Sequence, residues 1–291
     1  MTTADETLPV LIENTRHRFP ATRLRACKSL GKLGETASTA LPALTLSLDD
    51  ADPKVREAAA AAIGQLGVVA IPTLSGMLTH PDKYVRRHAV WGLGKIGPAA
   101  SNVRTKLCLV LKDEDPRTAS GAAQALGSLG ELGADAVPSL AEAMRGSNIV
   151  LCRLAAKALS QIGTPALPTL INHLRHSDPF VQGEAAVALG WMGPQAADAV
   201  AFLIEVLKKR SNEMTTTVPV PGLAGTPPTG VAPKPGDPPN STDAARANAA
   251  QALGRIGAAA GRAVPQLSLA LVDPSEAVRT AAELSLRQIR G

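Results

Sequence analysis

Apolar positions fall three and four apart along most of the chain, the spacing of one buried helix face, and the pattern returns at a fixed interval. The strings CKSLGKLG, AAAIGQLG, VWGLGKIG, AQALGSLG, AKALSQIG, AVALGWMG and AQALGRIG mark it. Their shared position falls at Gly31, Gly64, Gly94, Gly127, Ser160, Gly190 and Gly254, in steps of 33, 30, 33, 33, 30 and 64. The last step spans about two periods with one motif, so an insertion lies within it. A degenerate final copy, VRTAAELSLRQIRG, places Arg287 a further 33 residues on. A self-similar period of this size is the signature of stacked repeats.

Each unit predicts two helices. The longer starts at a turn such as Asp52-Pro53, Asp115-Pro116, Asp178-Pro179 or Asp273-Pro274, where Asp caps the orphan amides and Pro has no amide to lose. It ends at glycines able to take a left-handed conformation: Gly34, Gly67, Gly97, Gly130, Gly163, Gly193 and Gly257. The shorter helix opens near Pro9, Pro42, Pro72, Pro138, Pro168 or Pro265, with Leu44 and Leu48, or Leu170 and Leu174, on one face. Five residues before the motif position stands alanine every time: Ala26, Ala59, Ala89, Ala122, Ala155, Ala185, Ala249 and Ala282. One residue before it stand Leu30, Ile63, Leu93, Leu126, Leu159, Leu189, Leu253 and Leu286. Alternating small and large layers let neighbouring units bury one continuous core. The expected fold is all-α, a right-handed α-solenoid of about eight two-helix repeats.

The pattern D-P-x-V-R-x-x-A-A-x-A-L-G-x-x-G followed by A-V-P-x-L, as in DPKVREAAAAAIGQLG and DPFVQGEAAVALGWMG, resembles the HEAT-like repeats of the phycobilin lyase type. The resemblance covers nearly the whole chain and implies an armadillo-type superhelix. Such repeats serve bilin lyases, deoxyhypusine hydroxylase and many binding scaffolds, so the resemblance implies a fold more than an activity.

Residues 1–210 are read as repeats one to six with the first helix of repeat seven. Residues 243–291 are read as its second helix and a capping repeat, in which Arg287 and Arg290 replace the glycines. Between them, 211–242 holds eight prolines, four glycines and no aromatic residue, too little apolar surface to order itself. It reads as a passive tether inserted between the helices of unit seven, with a proline-rich docking peptide as the alternative.

Composition fits stacking by small residues: of 291 residues only two are Trp, one Tyr and three Phe. No apolar run approaches 18 residues, so no membrane-spanning helix is expected. The opening residues lack the basic, apolar and cleavage regions of a secretory leader. Three cysteines without CxxC spacing suit a cytoplasmic setting. The net charge, 30 − 25 = +5, is mild.

No catalytic constellation, metal site or cofactor is called for. Gly92-Leu-Gly94-Lys-Ile-Gly97 matches a dinucleotide fingerprint in letters, but it ends a helix instead of starting one. His173 and His176 could supply half a metal site, and two exposed residues at a helix end is the preferred reading. In deoxyhypusine hydroxylase paired His-Glu motifs hold two irons; no His here precedes Glu, so that activity is not expected. Cys27 and Cys152 read as packing residues too far apart for a disulfide. The recurrent Arg23, Arg56, Arg86, Arg246 and Arg279 suggest phosphate binding, but Ala119, Cys152 and Gln182 stand at the matching positions; the resemblance implies instead a structural ladder in which this Arg hydrogen-bonds a turn aspartate, here Asp52, Asp82 and their equivalents.

One face is not explained by packing. Positions seven before, three before and one after the motif residue form a stripe: Leu24/Lys28/Lys32, Glu57/Ala61/Gln65, Arg87/Trp91/Lys95, Ser120/Gln124/Ser128, Arg153/Lys157/Gln161, Gly183/Val187/Trp191 and Ala247/Gln251/Arg255. Glu57 is its one carboxylate. Ten before the motif position, Lys54, Tyr84, Arg117 and Phe180 extend the same face. By the resemblance this helix lines the concave side. Trp, Tyr and Arg are the usual anchors of interfaces, so the expected partner-binding residues are Tyr84, Arg87, Trp91, Lys95, Arg153, Lys157, Trp191 and Arg255. The leading reading is a non-enzymatic scaffold for an acidic, partly apolar segment of another protein. A bilin lyase-like or pigment-handling subunit is the alternative, and a nucleic-acid clamp, for which the charge is too dilute, the third.

Overall fold

A computed structural model describes residues 7–209 and 241–290. The described residues are helical without strands, and they alternate short and long α-helices. The short ones are α1 (Leu8–Asn14), α3 (Leu41–Leu46), α5 (Ile71–Met77), α7 (Arg104–Val110), α9 (Val137–Ala143), α11 (Leu167–His173), α13 (Val200–Lys208) and α15 (Val264–Ala270). The long ones are α2 (Pro20–Leu33), α4 (Pro53–Ile63), α6 (Lys83–Ile96), α8 (Pro116–Ser128), α10 (Ile149–Ile162), α12 (Pro179–Met192), α14 (Ser241–Ile256) and α16 (Glu276–Arg290). Each short helix packs on the long helix that follows, giving eight pairs. Of the expected insertion, 211–240 lies outside the described residues, while Ser241 and Thr242 already belong to α14.

Contacts divide the chain into two compact units, Met1–Ala166 and Leu167–Gly291. In the first, α2, α4, α6, α8 and α10 stack in sequence; in the second, α12, α14 and α16 do. Each is a stretch of α-solenoid. The alanine column is at most 2% exposed, and the neighbouring Leu/Ile column is buried throughout.

Successive long helices come close to one another at the motif glycine. A Cβ on Gly31 would meet Ala62 Cα at 3.1 Å, on Gly94 Ala125 Cα at 3.3 Å, and on Gly127 Ala158 Cα at 2.8 Å. Glycine therefore sets the spacing of successive long helices, and the small residue two before the next motif position receives it. The terminating glycines, such as Gly97 (φ 70, ψ −135), have positive φ as expected. At Gly34, Gly97, Gly163 and Gly193, however, ψ is not that of the left-handed helix; these four occupy a region open to glycine alone. The chain then passes through a 3₁₀ segment into the next short helix.

Asp52, Asp82, Asp115, Asn148 and Asp178 cap long helices as side-chain acceptors. Asp273 does not: it stands two positions earlier than a cap, and its carboxylate accepts the Ser275 N–H at 3.0 Å. The same earlier position accepts an amide in other units, through Asp50 (2.9 Å), Asp113 (2.9 Å), and Nδ1 of His17 (3.2 Å), His80 (3.0 Å) and His176 (3.0 Å). Imidazole replaces carboxylate there as the turn's acceptor. His173 is buried rather than exposed, and its Nδ1 lies 2.8 Å from the Thr169 carbonyl. The two rings stack 6.4 Å apart.

The arginine ladder is present for four of the five arginines; Arg279 instead donates to the Asp273 (2.7 Å) and Pro274 (2.9 Å) carbonyls of its own turn. Arg23 pairs with Asp50, not Asp52; Arg56 pairs with Asp82, Arg86 with Asp113 and Arg246 with Asp273, each in the next unit's turn. Arg56 goes to the cap aspartate, and the earlier position, filled by Asp50 or Asp113 elsewhere, is held there by His80, which offers an imidazole in place of a carboxylate. Arg23, Arg56 and Arg86 also donate backward to their own turns, as Arg56 Nη1 does to the Asp50 carbonyl (2.9 Å), while Arg246 Nε donates to the Leu207 carbonyl (3.3 Å). Cys152 Sγ–H to Gly146 (3.0 Å) and the Gln182 amide to His176 serve the same carbonyl, six residues back.

By length and composition, Pro179–Lys208 is apolar enough to cross a membrane, which run length alone had not indicated. Gly193 (φ 60) and the non-helical Ala196 split it into helices of 14 and 9 residues. Both fall short of the roughly 20 residues a bilayer span needs.

Candidate functional site

The densest group of predicted residues lies on α6. The Asp82 carboxylate accepts the Tyr84 N–H at 2.8 Å and starts the helix, so Tyr84, Arg87, Trp91 and Lys95 follow one another up one face. The Arg87 guanidinium carbon lies 5.0 Å from the Tyr84 ring centre, and Lys95 Nζ 5.5 Å from that of Trp91. Trp91 is 47% exposed. Its ring edge lies over Gly64, which follows the last residue of α4 and where a Cβ would stand 3.2 Å from Cε3 and Cζ3. Glycine there seats the indole against the neighbouring helix and leaves its other side open.

Arg87 is not the free cation that the stripe implied. It holds Asp115 through two hydrogen bonds, Nε to Oδ2 (2.7 Å) and Nη2 to Oδ1 (2.5 Å). Asp115 also accepts the Thr118 amide and hydroxyl, both at 2.8 Å. Those Arg87 bonds, against the opposing effect of burial and with help from Thr118, hold the Asp115 carboxyl well below the usual carboxylate range. The pair ties α6 to the cap of α8 and cancels its own charge.

Beside Trp91 lies a trough of about 820 Å³. Its floor is the small-residue face of α8: Ser120, Gly121, Gln124 and Ala125. Gly121 is needed, because a Cβ there would stand 2.6 Å from Val90 Cγ2. Trp91 and Lys95 form one wall, Val150 and Leu154 of α10 the other, with Arg117 in the first turn of α8. A second trough of about 560 Å³ lies across α4, floored by Ala58, Ala61 and Ala62, with Lys28 and Lys32 on the α2 side and His88 on the α6 side. His88 Nε2 is 3.7 Å from the Glu57 carboxylate, yet burial outweighs that charge and lowers the imidazole pKa. Lys28, Lys32, Lys54, Lys95 and Arg117 have no ion-pair partner among the described residues.

The first unit therefore brings together Tyr84, Arg87, Trp91 and Lys95. Arg153 and Lys157 are exposed on α10 but do not line the trough. Trp191 on α12 and Arg255 on α14 belong to the second unit, where both are exposed. Arg255 Cδ there lies 3.3 Å from where a Gly190 Cβ would be. The aromatic residues are not all on this face: Phe202, on α13, lies 4.7 Å from the Arg175 guanidinium carbon. Sequence reasoning missed Val150 and Leu154. Val150 stands ten before Ser160, the column that supplies Tyr84 and Arg117, so the alignment held the signal.

A family profile for HEAT repeats matches residues 8–85, 41–108, 71–150 and 137–218. No curated protein sequence matches significantly. Among solved structures the chain is similar to Kap95p, solved with RanGDP, at 12% identity and a TM-score of 0.66, covering 99% of this chain and 40% of that one. It is similar to importin beta at 16% identity and a TM-score of 0.62, covering 98% and 40%. The complex of CpcE and CpcF of phycocyanin lyase from Nostoc sp. is 19% identical with a TM-score of 0.46, covering 99% and 97%. At these identities the two importin-type likenesses show an α-solenoid fold and nothing finer.

Proposed function

The chain belongs to the HEAT-repeat family, and on that premise we propose that it is a non-enzymatic scaffold that holds an acidic, partly apolar segment of another protein. The site is the long-helix face of the first unit. The observation that carries this reading is Trp91: half-exposed, seated on Gly64, beside a trough with an apolar wall and unpaired cations. An exposed, rigidly seated indole is the usual core of an interface, and surrounding cations select an acidic partner and speed its approach. The fold is shared with Kap95p, whose structure was solved with a protein partner. Three free thiols, two of them buried, support a reduced cytoplasm as the setting.

The test is a pull-down from native lysate read by mass spectrometry, comparing wild type with Trp91→Ala/Lys95→Glu/Lys157→Glu. Arg87 is left intact because its loss would strand Asp115. A partner captured by wild type and lost by the variant, with unchanged far-UV circular dichroism, is the expected result. Equal capture by both proteins would refute the assignment to this face. A visible absorbance band in the purified protein would favour a bilin ligand instead, and a raised 260 nm signal nucleic acid.

A further inference from the structure

The two troughs of the first unit are alike in build and alternate with ridges. The α4 and α8 floors carry small residues at corresponding positions, Ala58 with Gly121 and Ala62 with Ala125, with Ala61 and Gln124 at the stripe position between them, while α2, α6 and α10 stand up on either side. The α6 ridge between the troughs carries Trp91. Charge follows the same division. Around the α4 trough Lys28, Lys32 and Lys54 face one carboxylate, Glu57. Around the α8 trough Lys95 and Arg117 are unpaired, and Arg87 and Asp115 cancel. Each trough therefore carries an excess of about two positive charges, and each volume lies within the roughly 300–1,000 Å³ of sites that enclose a bound group.

We propose that these are two pockets of a single site, which takes one extended acidic peptide with two apolar anchor side chains about six residues apart. This rests on the scaffold reading and specifies its ligand. The troughs are two helix steps apart, about 16–20 Å at 8–10 Å per step. An extended chain rises about 3.3 Å per residue, so five to six residues span that distance. Side chains of an extended chain alternate between faces, which selects the even number: positions i and i+6 both point down, and the residues between them cross the Trp91 ridge. Acidic residues flanking each anchor meet the lysines and arginine at the trough rims. A helical ligand would instead need anchors about eleven residues apart, at 1.5 Å per residue.

The probes are fluorescein-labelled peptides of Glu, Asp and Ser that carry two Phe residues three, six or eleven positions apart, with a single-Phe control and a Lys-for-acid version. Binding to the full chain is read by anisotropy. The six-spaced acidic peptide is expected to bind at least roughly tenfold tighter than the single-Phe peptide, because the second anchor docks at high effective concentration. Filling either trough, with Ala61→Trp or Gln124→Trp, should bring it back to the single-Phe affinity. Should a plugged protein lose helix content, Lys28→Glu/Lys32→Glu, both on the exposed face, serves for the first trough and should give the same loss.

An optimum at three or eleven, no dependence on spacing, or equal binding of the basic version would overturn the proposal. Trp91-dependent binding without a spacing optimum would do so while leaving the scaffold reading intact. If no peptide binds and Trp91→Ala/Lys95→Glu/Lys157→Glu captures the same partners as wild type, both readings fall.

Discussion

Adding one methyl group at two glycines should give effects of opposite sign. A Cβ on Gly92 would lie 2.7 Å from Gly64 Cα, with Leu74 Cδ2 at 3.1 Å and Cδ1 at 3.2 Å. Carbon atoms rest at about 3.5–4.0 Å, so α4 and α6 must separate by about 1 Å. The obstacle is backbone, which cannot rotate aside, and this places the cost near the top of the ~1–3 kcal/mol range for overpacking. Alanine returns about 1 kcal/mol in helix propensity, leaving Gly92→Ala destabilised by ~2 kcal/mol. Gly76, on α5, has nothing within 4 Å of its Cβ position. There only the propensity gain remains, ~0.5–1 kcal/mol of stabilisation. Urea unfolding followed by circular dichroism gives the comparison, with midpoints as the measure because stacked repeats need not unfold as one unit. A Gly92→Ala midpoint at or above wild type would refute the view that glycine sets the helix spacing.

The remaining predictions concern acid stability and thiols. Asp50 and Asp115 are both held below the usual carboxylate range, chiefly by hydrogen bonds from Arg23 and Arg87. The unfolded chain therefore takes up these protons first. The stabilisation is complete above the unfolded carboxyl pKa of about 3.9 and is lost as pH falls from there through the folded value. Asp115→Asn should thus lose less stability than wild type between pH 7 and pH 3, and an equal loss in the two proteins would show that the pair contributes nothing. Burial pushes the Cys27 thiol up to about 11, and Cys152 is fully buried, while Cys108 is part-exposed. Alkylation of the native protein at pH 8 should modify Cys108 first, with the other two reacting only on unfolding. Mass mapping that finds Cys27 first would contradict this.

Much of the architecture was legible because each helix depends on its own residues and those one period away. Gly97 and its counterparts stop helices through a backbone conformation that only glycine adopts, and the alanine and leucine columns show which side faces the neighbouring unit. The candidate site was legible in part. Tyr84, Arg87, Trp91 and Lys95 could be placed on one face from the sequence because a stripe is a property of one helix. Val150 and Leu154 were missed because the trough they wall is formed by three helices together.

What the sequence determined by itself, then, is the repeat: its period, its two helices, its caps and stops, and which positions are small or large. These are local preferences, and reading eight copies side by side averages out the exceptions. Tertiary structure decided what depends on distance across units. It turned Arg87 from a free surface cation into the partner of Asp115. It made His17, His80 and His176 stand in for aspartate as turn acceptors. It opened a trough over α8, because Ser120, Gly121 and Ala125 lie between the larger residues of its neighbours. Charge pairing, amide acceptance and concavity are relations between elements, and a single strand of letters does not state which elements meet.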